Sequence, residues 1–89
     1  MTDRYVVVLE DAGANFSAYV PDLPGCVSTG ATIEETVAHI REAMALHLDG
    51  MRRDGDAVPP ATHRLSDRLE WADSAIGVLE LNVAPAVAA

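Results

Sequence analysis

The side chains of this sequence that could do chemistry are scattered carboxylates, three histidines and one cysteine. Glu10 and Asp11 close the first apolar run, Asp22 sits between two prolines, and Glu34 and Glu35 open a periodic segment. Metal-assisted phosphodiester hydrolysis needs several carboxylates converging on paired cations that activate water and stabilise the leaving oxygen. Divided among a strand end, a corner and a helix start, these five read as solvated or capping groups. His39 and His47 are separated by about two helical turns, ~12 Å along an axis, too far to share a metal without a third element. His63 follows a proline pair in a loop and belongs to neither. Cys26 is the only cysteine, so neither an internal disulfide nor a thiolate metal site can form. With no cation beside it in sequence to lower its pKa, it is expected to pack as a small hydrophobe. No catalytic constellation, metal site or cofactor is therefore expected.

Charge narrows the partners. Fourteen acidic residues against six basic ones give −8, and all six basic residues are arginines, at 4, 41, 52, 53, 64 and 68. Phosphate binding draws on clustered Lys and Arg, so direct nucleic-acid binding is disfavoured. An acidic surface suits a basic protein partner, although net charge also serves solubility alone. The amino terminus has no basic region ahead of an apolar run and no stretch approaches ~18 apolar residues. A soluble cytoplasmic protein without membrane contact is the expectation.

The elements that must position these side chains follow from periodicity. Residues 4–10, Arg-Tyr-Val-Val-Val-Leu-Glu, are β-branched and short, a strand buried on both faces or nearly so. A turn at 11–15 leads to a returning arm at 16–20, ended by Pro21 and Pro24. A third short strand covers 26–29, with Gly30 as punctuation. Thr32 and Glu35 have the spacing of a capping box, and Ile33, Val37, Ile40, Met44, Leu48 and Met51 form one apolar stripe, which predicts a helix from about Thr32 to Leu48 or beyond, with Gly50 as its stop. Asp54-Gly55 marks a turn, Pro59-Pro60 breaks regular structure, and 66–71 makes one helical turn at best. Alternation returns over 75–83 as a last strand. At 89 residues the chain holds one domain, residues 1–83, followed by a short tail at 84–89.

This order predicts an α+β, two-layer βββαβ domain with a mainly antiparallel sheet. A right-handed crossover is expected to return the final strand parallel to the first. One helix would leave the second sheet face bare. That face and the free sheet edge are where a second copy or another protein should dock, giving a homodimer or higher homo-oligomer.

The run Phe-Ser-Ala-Tyr-Val-Pro-Asp-Leu-Pro-Gly-Cys-Val-Ser-Thr-Gly at 16–30, continued by Thr-Ile-Glu-Glu at 32–35 and by Asp54-Gly55 and Pro59-Pro60, closely resembles the HicB antitoxin family. The resemblance covers about residues 4 to 60. It implies a degenerate, partial RNase H-like fold that binds a HicA-type toxin, a small mRNA-cleaving protein with a double-stranded-RNA-binding fold, and occludes its active histidine. Many members add a carboxyl-terminal DNA-binding segment; none is expected in residues 84–89, so inhibition is implied and operon repression is not. Ala31 stands where an acidic residue is common, and Thr36 where alanine is frequent.

An RNase H-like nuclease would need a ligand in the middle of the first strand, where this sequence has Val6, Val7 and Val8. The expected protein is thus no enzyme, with a toxin-free regulatory oligomer and a metal-dependent nuclease as the alternatives. Pro21, Pro24 and Gly25 are explained by a corner of fixed backbone angles, and Gly30, Thr32 and Glu35 by the helix start. Asp22 and Leu23, if exposed at the corner's tip, would touch the partner. Trp71 is either a lid over the core or an interface anchor.

Overall fold

The computed structural model describes residues 3–62, 64 and 75–83. The β-branched first run forms strand β1 (Asp3–Asp11), followed by β2 (Phe16–Tyr19), β3 (Val27–Gly30), helix α1 (Ile33–Arg53) and β4 (Ala75–Val83). The strands make one sheet in the order β3-β2-β1-β4. Because β1 lies inside the sheet, its residues must satisfy two neighbours and two faces, and Tyr5, Val6, Val7, Val8 and Leu9 are all buried.

All pairings in this sheet are antiparallel. The expectation that β4 runs parallel to β1 is therefore corrected: β4 begins opposite Glu10 and ends with Val83 opposite Asp3. A parallel strand would have to start where α1 leaves the chain, at the Asp3 end of β1. Residues 54–74, twenty-one in number between α1 and β4, have a contour of up to about 70 Å. A nine-residue strand is only ~30 Å long. That length lets the chain reach the far end of the sheet before β4 starts, and the handedness rule for parallel crossovers no longer applies. Between Leu9 and Glu10 the register shifts, so that Ile76 is the extra residue of a bulge; it is 49% exposed.

On one face Tyr5, Val7, Leu9, Ala18, Val20 and Leu81 pack with Ile40, Met44 and Leu48 of the helix. The opposite face is not bare at its centre, contrary to expectation. Val6 and Val8 are buried there, Val8 lying in register between Tyr19 and Val78. Only toward the β3 edge does this row open, where Val27, opposite Tyr19, is 64% exposed.

The helix starts as its capping residues dictate. Thr32 Oγ1 accepts from the Glu35 N–H at 3.0 Å, and the Glu35 carboxylate reaches back to the N–H of Ala31, one residue before the cap. The buried line on α1 is Thr36, Ile40, Met44 and Leu48, whereas Ile33 is exposed. Thr36 satisfies its hydroxyl by donating to Thr32 O at 2.7 Å, so a polar group is tolerated at a wholly buried site. Its backbone meets Gly30 so closely that a Cβ there would lie 2.6 Å from both Thr36 N and Oγ1.

Gly50 does not end the helix, which runs to Arg53 with Asp54 as its cap. The left-handed residue is Gly55, φ 77°, and the bonds Asp56 N–H to Met51 O and Gly55 N–H to Arg52 O close a Schellman motif. A glycine inside a helix costs about 0.5–1 kcal/mol relative to alanine. A Cβ at Gly50 would meet nothing within 4 Å. Gly50→Ala is therefore expected to stabilise the fold by that amount, read as a higher urea midpoint.

Candidate partner-binding surface

The Pro21–Gly25 corner is built from three backbone bonds: Leu23 N–H to Val20 O, Cys26 N–H to Leu23 O, and Val20 N–H to Cys26 O. Gly25 supplies the positive φ, 85°, that closes it. Winding this tightly turns Leu23 and Cys26 inward, to 0% and 3% exposure, while Pro24 and Gly25 stay outside. Leu23 is thus a core residue rather than part of an exposed tip, because the corner folds back over the sheet's helix face.

Asp22, half-buried, accepts from Thr62 N–H at 2.9 Å and from Thr62 Oγ1 at 2.6 Å. Tyr5 Oη donates to Pro59 O at 2.6 Å. Together these bonds fasten the stretch after α1 to the corner and to β1. Pro59 cannot donate to a strand, but its carbonyl can accept, and Tyr5 uses it. Sequence reasoning singled out neither Tyr5 nor Thr62; only a tyrosine within a valine run could have pointed to the first. Trp71 and His63 lie outside the described residues.

Of the carboxylates considered for chemistry, Asp11 takes the Gly13 N–H and Glu35 the Ala31 N–H, both close in sequence, and Asp22 takes the Thr62 pair, 40 residues away. His39 Nδ1 lies 2.7 Å from Thr29 O; a carbonyl only accepts, so Nδ1 carries the proton. Among the described residues no group of three His, Cys, Asp or Glu could hold a metal ion, and no helix is long and apolar enough to cross a membrane.

Burial pushes the Cys26 thiol above its ordinary pKa. A group whose folded pKa is raised contributes stability below its unfolded pKa and loses it as pH climbs through the folded value. Stability is therefore expected to hold through neutral pH and to fall through the thiol range and above. The native thiol should react with a disulfide reagent far more slowly than in urea; equal rates would contradict the burial. Tyr19 is also raised, first by burial and then by the Glu10 charge.

What the surface offers a partner is acidity. Glu34, Glu35 and Glu42 on α1 and Asp54 and Asp56 beyond it are exposed, as are Arg41, Arg52 and Arg53, which leaves an excess of acid over this stretch; Leu46 is 57% exposed. By contrast, β4 carries Glu80 as its one charged residue.

A family model described as the HicB-like antitoxin of bacterial toxin-antitoxin systems matches residues 5–88. The chain belongs to that family. The match reaches well past the corner and the helix start that carried the sequence resemblance, and takes in β4.

Several relatives and solved structures share features with this HicB-like chain. A 14.9 kDa protein from the rep-hol intergenic region of Haemophilus phage HP1 is 27% identical over 81 residues, 89% of this chain and 61% of the phage protein. The chain thus spans about three fifths of that relative. A UPF0150 protein of Synechocystis is 36% identical over 57 residues, 63% of this chain and 72% of that protein. The fold matches the N-terminal domain of the Burkholderia pseudomallei antitoxin HicB with a TM-score of 0.70 at 23% identity, covering 91% of this chain and 95% of that domain. It also matches a chain of the HicA3 and HicB3 toxin-antitoxin complex, TM-score 0.68 at 21% identity, covering 92% and 96% of the two chains.

Proposed function

We propose that this HicB-like chain is an antitoxin that binds a HicA-type mRNA-cleaving toxin and blocks it by occlusion, without catalysis of its own. The observation carrying this reading is the family match across residues 5–88, joined to a fold shared with a chain of a toxin-antitoxin complex. A toxin that grips RNA must present basic groups. The excess of acidic over basic side chains on the exposed part of α1 and the Asp54 and Asp56 turn is the complementary charge, which raises the rate of encounter as well as selecting the partner. Such an inhibitor acts where messenger RNA is translated, in the cytoplasm. Asp22, at the rim of the corner, and Trp71 are the contacts proposed beside that acidic surface.

The test is a titration of RNA cleavage by a small basic double-stranded-RNA-binding-type protein encoded beside this gene. Cleavage should fall linearly and stop at a fixed stoichiometric ratio. Trp71 is the only tryptophan, so its emission should shift over the same titration. Full cleavage at excess antitoxin would overturn the reading.

A further inference from the structure

Two unfavourable features of α1 fall on one patch of its outer side. Leu46 is 57% exposed, and Gly50, four residues on and therefore its neighbour one turn later, sits inside the helix, where glycine is less favourable than alanine. A lone exposed leucine needs no explanation. This one is flanked by small residues at both ends, Ala43 one turn before and Gly50 one turn after, and a Cβ on Gly50 would meet nothing within 4 Å among the described residues. Leu46 is thus a knob beside a bare stretch of helix backbone. Neither feature serves the fold: the buried Met44 and Leu48 lie about 160° around the helix axis from Leu46 at ~100° per residue, and the helix exit is at Gly55, φ 77°.

Charge selects the occupant. By the same ~100° step, Glu35, Glu42, Asp49 and Arg53 fall within about 60° of Leu46, whereas Arg41 and Arg52 fall about 120–140° away. Arg53 is already paired with Asp49 inside the helix, and His39, also on this side, is turned to the Thr29 carbonyl. The surround of Leu46 is therefore three carboxylates against one guanidinium. A second copy docked here would set the same carboxylates against each other; a basic partner would neutralise them. We infer that Leu46 is the apolar centre of the toxin contact, received in a recess framed by basic side chains, and that Gly50 is kept bare so that the toxin can approach the helix backbone closely. This rests on the toxin reading and adds to it the patch, its anchor and the complementary chemistry the toxin must present.

The experiment measures association and dissociation rates of the full chain on an immobilised toxin, the small basic double-stranded-RNA-binding-type protein encoded beside this gene. Packed contacts act mainly on dissociation and rim charges on association. Leu46→Ala is expected to raise the dissociation rate about tenfold or more with the urea midpoint nearly unmoved, since the side chain is exposed. Gly50→Gln, a better helix former that fills the bare ground, should raise the urea midpoint and yet speed dissociation, a split that a merely structural glycine would not give. Glu42→Gln should slow association and flatten its salt dependence. The control is Ile33→Ala, 44% exposed on the same helix but ~20 Å along it from Leu46; it should stay within about twofold of wild type. If the wild-type chain inhibits the toxin and Leu46→Ala dissociates no faster than Ile33→Ala, the inference falls while the toxin reading stands. It falls likewise if Gly50→Gln dissociates as slowly as wild type, or if Leu46→Ala binds toxin normally and changes the sedimenting mass of the chain alone, which would give the patch to a second copy. A wild-type chain that leaves the toxin fully active removes both.

Discussion

Gly30→Ala is expected to lower stability by about 1–3 kcal/mol or more, the cost of overpacking a site that cannot give. The added Cβ would lie 2.6 Å from Thr36 N and 2.9 Å from Thr36 Cα, and backbone atoms in the first turn of a capped helix cannot turn aside as a side chain can. The strand and helix must therefore separate, and the separation spreads to the Thr32 cap and to the helix face that covers β2 and β3. Small domains hold only about 5–15 kcal/mol in total, so the urea midpoint should fall sharply with little change in slope. Thr36→Ala in the same background relieves the clash with Oγ1 but not the clash with the helix backbone, and should not restore the midpoint. A Gly30→Ala protein as stable as wild type would mean that β3 and α1 are not held this close.

Leu23→Ala should cost about 2–5 kcal/mol, as for other buried leucines whose removal leaves a cavity. Its side chain is wholly enclosed and packs in the cluster with Ile40, Met44 and Leu48. Val27→Ala, four residues on and 64% exposed, should change stability by no more than about 0.5 kcal/mol. The pair separates a core corner from a docking corner. If Leu23→Ala left stability intact and weakened toxin inhibition instead, Leu23 would be a contact residue, and its enclosure in the free chain would have to open on binding.

Much of the domain was legible because its signals are short-range. The Thr32 and Glu35 spacing located the helix start, the Val-rich run located the inner strand, and the alternation over 75–83 located β4. The helix stop was misplaced to Gly50 because a glycine without neighbours costs a helix only a fraction of its stability, while the Gly55 turn, with its Schellman bonds, provides a true exit. The candidate site was less legible. Asp22 was expected to touch the partner from an exposed tip; it is half-buried and its described partner, Thr62, lies 40 residues away, a pairing that no local pattern announces. The corner motif marked a constrained turn without telling which of its side chains faces in.

The sequence by itself determined the family, the element types and order, the helix cap, and the absence of a carboxylate from the middle of β1. These are written in residue spacing, where backbone sterics and neighbouring hydrogen bonds decide the outcome. Only the tertiary structure decided that β4 runs antiparallel to β1, that Leu23 lies inside, that the second sheet face is buried at Val6 and Val8, and that Gly30 must be glycine. Strand direction and burial depend on where a distant segment arrives, as when Tyr5 meets Pro59 across 54 residues, whereas the Gly30 constraint comes from how closely the start of α1, at Thr36, packs on β3. Burial and strand direction are set by such arrivals, and the chain's local pattern is compatible with more than one of them.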